Sequence, residues 1–155
     1  PTRKQSFHTG NLILDSLLTE KVSRAEALGA EVMIAADLSV FSSISDFDLC
    51  TIFGNILDNA LEACAQVPQP ESRYIHLRSQ TSAGFIVFTL TNSYEGARLH
   101  SAASFLTTKS DANHHGYGLS NVRAALEKHG GVLIAQDDPQ KREFQLSIML
   151  PDQQS

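Results

Sequence analysis

Two pairs of strand-like segments, each folded back through a short run of turn residues, constrain this chain more than any other feature. Arg73–Thr81 and Phe85–Asn92 are separated by Ser82-Ala83-Gly84, and Val132–Gln136 and Phe144–Leu150 by a stretch around Asp137-Asp138-Pro139. Connections this short join antiparallel strands. Ile75 and Leu77 alternate with His76 and Arg78, which suits a sheet with one solvated face. Phe85–Asn92 is apolar on both faces and belongs nearer the sheet centre. A fifth strand is expected at Glu31–Ala35.

Three helices complete the pattern. Asn11–Leu28 places Leu14, Leu17, Leu18, Val22 and Ala25 close to a helical period, with Asn11 as its cap and Gly29 as its stop. After a serine-rich connection at Ser39–Ser45, Ser45 caps a second helix, which runs to about Ala65 and stops before Pro68 and Pro70. A third helix is expected at Leu119–His129, closed by Gly130-Gly131, with His114-His115 in the loop before it. The order α-β-α-β-β-(long loop)-α-β-β predicts an α+β fold. It is a two-layer α/β sandwich, with a mostly antiparallel sheet and three helices on one face. Repeated βαβ crossovers are missing, which argues against a Rossmann fold. The fold is expected over residues 11–150, with 1–10 as a lead-in and 151–155 as a tail.

Charge and composition narrow the function classes. The chain has 155 residues, 12 Lys+Arg against 17 Asp+Glu and a net charge of -5, with 42 % hydrophobic and 19 % charged residues. That is a globular balance. An acidic chain without a Lys/Arg cluster is not built to grip nucleic acid or an anionic membrane, so neither partner is expected. Nor does any apolar run approach the roughly 20 residues of a spanning helix. Cys50 and Cys64 fall on one helix and lie roughly 21 Å apart by helical rise. They are expected as free thiols packed like small hydrophobes, since a disulfide needs Cα atoms within about 7 Å. The six histidines have no zinc-like spacing.

The second helix carries the most informative segment, GNILDNALEAC, Gly54–Cys64. At 100° per residue Asn55, Asp58, Asn59 and Glu62 share one sector, while Leu49, Phe53, Leu57, Ala60, Leu61 and Cys64 gather opposite. A merely wet face would favour Lys, Glu and Arg. Asn and Asp are poor mid-helix residues, so a wet face and a functional stripe both remain open. Carboxamide oxygens beside carboxylates suit a hard cation such as Mg²⁺, held together with phosphates.

Between the hairpins, Ser93–His115 is a long polar stretch, the kind that forms lids or binding segments. It contains Thr107-Thr108-Lys109-Ser110, a lysine flanked by hydroxyls, and ends at His115-Gly116-Tyr117-Gly118-Leu119. Glycines before a helix start let backbone N–H groups approach an anion, and the helix dipole favours phosphate there. A hinge is the commoner meaning of two such glycines.

Together, the amide-bearing NILDNALEA, the polar segment and the GYGL turn resemble the GHKL superfamily of ATP-binding domains. The resemblance is strongest to the catalytic domain of sensor histidine kinases of the peptide quorum-sensing (agr) type. It extends from Thr9 to Leu150. The opening TGNLILDSLLTEKVSRAEALGAEV is similar to that branch's lead-in, a GN-x-x-LD followed by K-x-x-x-A. It implies the Bergerat fold and an ATP site with Mg²⁺ as cofactor. Asn59 then matches the metal-coordinating asparagine of the N-box, with Asn55 beside the metal and phosphates and Glu62 bordering the site. Thr107, Thr108, Lys109 and Ser110 match the lid. Gly116, Tyr117, Gly118 and Leu119 match the second glycine box, which contacts the triphosphate. Asn92 stands where most histidine kinases carry the aspartate of an Asp-x-Gly-x-Gly box that receives the adenine amine. An asparagine carbonyl can accept that hydrogen bond without the charge that strengthens it.

The resemblance also fixes the expected chemistry. ATP-hydrolysing relatives such as gyrases carry a glutamate general base one turn before the metal asparagine. Asn55 occupies that place and cannot take a proton at neutral pH, so water activation is not expected. Transfer of the γ-phosphate to a histidine on a dimerisation domain outside this chain is expected instead. His8 has no helical context and is rejected as the acceptor. A response regulator is the downstream partner so implied, and the location is the cytoplasmic part of a membrane-anchored sensor. Two alternatives share the fold: a non-catalytic nucleotide-binding or docking module, and a protein-serine kinase of the anti-sigma type.

Overall fold

The computed structural model describes residues 7–95 and 114–152, with the backbone alone at 114–117. Helix α1, Leu12–Ala27, starts where the sequence predicts: the Asn11 side chain accepts the Leu14 N–H at 3.0 Å. Thr9 reinforces that start, donating its N–H at 2.9 Å and its hydroxyl at 2.7 Å to Asp15 Oδ1 in the first turn. Strand β1 is Glu31–Ala35, with the expected limits. The serine-rich connection forms a 3-10 turn at Ser39–Ser43 that drives Phe41 into the core, 4.7 Å ring to ring from both Phe53 and Phe88.

Helix α2, Asp46–Ala65, is capped by Ser45, whose hydroxyl accepts the Asp48 N–H at 3.2 Å. Its apolar sector is buried as expected, and Ile52 and Ile56 widen it. Cys50 departs from expectation. It is exposed, because the first turns of α2 lie uncovered on that side, where Phe47 is 77 % exposed as well. Cys64 is buried, and both thiols are free.

Strands β2, Tyr74–Ser82, and β3, Phe85–Ser93, meet through Ala83 and Gly84, whose φ angles are +52° and +84°. Two left-handed residues make a turn whose twist matches that of the strands. Helix α3 covers His114–Glu127, and β4, Val132–Asp138, and β5, Glu143–Pro151, close the sheet. In β5, Pro151 pairs with Phe85. The sheet order is β1-β2-β3-β5-β4. β1 and β2 are parallel because α2 carries the chain across between them, and the other pairs are antiparallel. β3 is central, as its apolar sequence predicts. Among the described residues, three α-helices lie on one sheet face, with α2 between α1 and α3. The core between the layers includes Leu14, Phe53, Leu90, Leu126 and Phe144. Each such buried side chain contributes about 1.5–3 kcal/mol.

The start of α3 is a correction. The sequence predicts a loop through His114-His115 and a helix from Leu119, but the helix begins at His114 and runs through Gly116 and Gly118. Glycine costs about 1 kcal/mol in a helix interior relative to alanine, which makes such a pair read as a breaker. A close contact of Gly118 with Asn55 of α2 accounts for a glycine inside this helix.

Candidate functional site

The polar stripe of α2 divides into two parts with different partners. Asp58 faces α1, where its Oδ1 accepts from Lys21 Nζ at 2.7 Å and from Arg24 at 3.4 Å. Lys21 is nearly covered, and burial works against its charge. Hydrogen bonds to Asp58 and Glu20 outweigh burial and hold the ammonium above the ordinary lysine value. Asp58 is therefore a helix–helix tie. Lys21 and Ala25, the two fixed positions of the lead-in K-x-x-x-A, supply that ion pair and a buried methyl.

Asn55 and Asn59 form the other part. Asn55 donates from Nδ2 to the Thr51 carbonyl at 2.7 Å, one turn back along its own helix. That bond orients the amide, and its Oδ1 faces α3. A Cβ added at Gly118 would stand 2.9 Å from Asn55 Oδ1 and 3.4 Å from its Cγ. A real Cβ does not approach that closely, so α3 reaches the amide because residue 118 has no side chain. One turn further along α2, Asn59 Nδ2 is buried with no hydrogen-bond partner among the described residues. A buried polar group without a partner costs about 1–3 kcal/mol, and few persist without a functional reason.

At the end of β3, Asn92 is 1 % exposed. It stands opposite Ile75 on one side and Phe144 on the other, both core residues, and so belongs to the helix-covered face of the sheet. Its Nδ2 donates to the Ser93 carbonyl at 2.9 Å, which leaves Oδ1 as the acceptor end of the amide. Ser93 Oγ accepts the Tyr74 N–H at 3.0 Å and lies 3.5 Å from Cys64 Sγ. Burial pushes the Cys64 thiol up, so it stays protonated.

A family model described as the GHKL domain matches residues 44–151, from the residue before the α2 cap to the end of β5. The chain belongs to the GHKL domain family. A probable C4-dicarboxylate sensor kinase of Halalkalibacterium halodurans is 27 % identical over 141 residues, 86 % of this chain and 26 % of that protein. The chain thus spans about a quarter of the length of that curated relative. The catalytic domain of histidine kinase ThkA superposes with a TM-score of 0.68 at 15 % identity, covering 97 % of each chain. Full-length ShkA in complex with AMPPNP matches with a TM-score of 0.66 at 17 % identity, over 95 % of this chain and 30 % of that one. The fold is that of histidine kinase catalytic domains.

Within this GHKL domain, the residues singled out from sequence have unequal standing. Asn55 and Gly118 are in contact, and Asn59 follows on the same helix face. Glu62 is exposed near the end of α2. Gly116 and Tyr117 lie in the first turn of α3, so any anion would meet their backbone there. Leu119 is 2 % exposed in the core, which confines its part to the main chain. Thr107, Thr108, Lys109 and Ser110 lie outside the described residues. His8 is exposed ahead of α1. Among the described residues no helix is long and apolar enough to cross a membrane. Sequence reasoning passed over Thr51. Its signal was present, because a carbonyl four residues before an asparagine lies within reach of that side chain in a helix.

Proposed function

We propose that this GHKL domain binds Mg·ATP between α2, the first turn of α3 and residues 107–110. It would pass the γ-phosphate to a histidine on a dimerisation domain outside the chain. The observation that carries this reading is the meeting of Asn55 Oδ1 with Gly118, next to an Asn59 Nδ2 that has no hydrogen-bond partner among the described residues. The donor set fits the cation: neutral carboxamide oxygens from Asn55 and Asn59 suit a hard ion whose remaining ligands are phosphate oxygens and water. Mg²⁺, when bound, neutralises charge on the phosphate oxygens. The AMPPNP of the ShkA complex, an ATP analogue, supports the same reading by analogy of fold.

The chain's own residues then position and orient. Asn59 and Asn55 would hold the cation side of the triphosphate, and the unpaired N–H groups in the first turn of α3, that of Gly116 among them, would meet phosphate oxygens at its positive end. Lys109 would add charge from the lid segment. Asn92 Oδ1, turned by its bond to Ser93, would accept from the adenine amine. Asn55 cannot serve as a base for water, which favours transfer over hydrolysis. In the transfer an imidazole nitrogen forms the new N–P bond with its own lone pair. The bond from the γ-phosphorus to the bridging oxygen breaks, and ADP leaves with that electron pair. Positioning and charge neutralisation suffice for such a step.

A response regulator would receive the phosphoryl group next, and the parent protein would be a membrane-anchored sensor with this part in the cytoplasm. The peptide quorum-sensing branch is proposed on the lead-in Thr9–Val32, whose Asn11, Asp15, Lys21 and Ala25 all have structural work. The test is transfer in trans. The domain, γ-labelled ATP and Mg²⁺ are mixed with a separately produced dimerisation domain, and the label is then challenged with acid and base. An acid-labile, base-stable product identifies phosphohistidine. An acid-stable phosphoserine on a partner would replace this reading with the anti-sigma type, and no nucleotide binding at all with the docking module.

A further inference from the structure

We infer that Asp48, Lys128 and His129 form a clasp that sets the register of α3 along α2, so that Gly118 lies against Asn55. Asp48 is thus a positioning residue for the site. As a role in nucleotide binding this rests on the proposed function; as geometry it stands alone.

Asp48 sits in the first turn of α2, a place where aspartate is ordinarily solvated, yet it is only 5 % exposed. Its two oxygens are divided between two partners just past the C-terminal end of α3. Lys128 Nζ donates to Oδ1 at 2.8 Å, and His129 Nε2 lies 3.3 Å from Oδ2. An anion at the start of one helix and the Lys128 ammonium past the end of the other also complement both helix dipoles. The Lys128 hydrogen bond holds the carboxyl below the usual carboxylate range against the effect of burial, so Asp48 is ionised at neutral pH.

The two helices run antiparallel, since residue 48 meets 128 and residue 55 meets 118. The contacts therefore lie about 10 Å apart along α2 and about 15 Å apart along α3. Ile52, Val122 and Leu126, buried between them in sequence on the two helices, are apolar. Apolar contacts have no direction, and alone they would tolerate a slide of α3 along α2. A carboxylate whose two oxygens meet two separate partners, Lys128 and His129, favours one register. The clasp supplies the register that the glycine contact needs, and it is remote enough to touch no ligand.

The experiment compares the unmodified domain with Lys128→Met, Asp48→Asn and Lys128→Arg. Three quantities are measured: NMR resonances of the Asn55 side-chain amide and the Gly118 backbone amide, affinity for a fluorescent ATP analogue with Mg²⁺, and the urea midpoint. Lys128 is 60 % exposed on its side chain, so its replacement leaves a folded domain to measure. Lys128→Met and Asp48→Asn are expected to shift both resonances and weaken nucleotide binding roughly tenfold, with Lys128→Arg restoring both. Unchanged resonances and affinity, even with a lowered midpoint, would reduce the clasp to a stabilising ion pair and overturn the inference. If the unmodified domain binds no nucleotide, the proposed function fails, and the two resonances alone then decide the clasp.

Discussion

Asn55 Oδ1 stands 2.9 Å from where a β-carbon on Gly118 would lie, so two helices meet through an amide and a bare backbone. Gly118→Ala forces Asn55 off the Thr51 carbonyl or pushes α3 away. It is expected to weaken Mg·nucleotide binding by tenfold or more, on the order of the loss that small misplacements cause. Gly54→Ala on α2 is the control, since a Cβ there meets nothing within 4 Å among the described residues. It should leave binding intact and stabilise the domain by about 0.5–1 kcal/mol through helix propensity. Calorimetric titration and urea melts of both variants check the pair.

Asn59→Ala separates function from stability. The Asn59 Nδ2 atom is buried without a partner among the described residues, so truncation removes an unsatisfied group and installs a better helix former. The variant should lose Mg²⁺-dependent nucleotide binding while its urea midpoint stays level or rises. A fall of more than about 1 kcal/mol would mean that the amide is structural.

Asp58→Asn should behave in the opposite way. It leaves the covered Lys21 ammonium with Glu20 alone, after loss of the 2.7 Å bond to Asp58. A loss of about 1 kcal/mol is expected, discounted because the Asp58 side chain is 43 % exposed, with nucleotide affinity unchanged.

Acid sensitivity follows from Asp48. Its carboxyl is held below its ordinary value chiefly by Lys128, so near neutral pH the folded state is favoured by the ionised form. A group with a lowered folded pKa contributes fully above about pH 4, and the contribution disappears as pH falls through the folded value. The stability difference between the unmodified domain and Asp48→Asn should therefore be widest near neutrality, at about 1–2 kcal/mol, and narrow below pH 4. Urea unfolding across a pH series checks this. A difference that persists at low pH would place the effect of Asp48 elsewhere.

The turn between β2 and β3 holds Ala83 at φ +52°. A left-handed alanine costs roughly 1 kcal/mol that glycine or asparagine largely avoids. Ala83→Asn, which gives Asn-Gly, should raise stability by about 0.5–1 kcal/mol with binding unaffected. Thermal melts would show it.

What the sequence made legible was local. Asn11 and Ser45 cap their helices as their residue types require, β1 has its expected limits, and the apolar character of β3 places it centrally. What it hid was carried by distant partners. The start of α3 is hidden in the sequence because glycine at 118 reads as a breaker until Asn55 is known to lie against it. Asp58 joined the amide stripe by angle alone, and its true partner is 37 residues away in Lys21. The clasp joins residues 80 apart, beyond any local pattern.

The central claim is a Mg²⁺-dependent nucleotide site on α2 and α3. It is tested most directly by titrating the domain with a fluorescent ATP analogue, with and without Mg²⁺, beside Asn59→Ala and Gly118→Ala. Saturable binding that requires Mg²⁺ and is lost in both variants is the predicted result. A folded, unmodified domain that does not bind, or variants that bind as well as it does, would contradict the account.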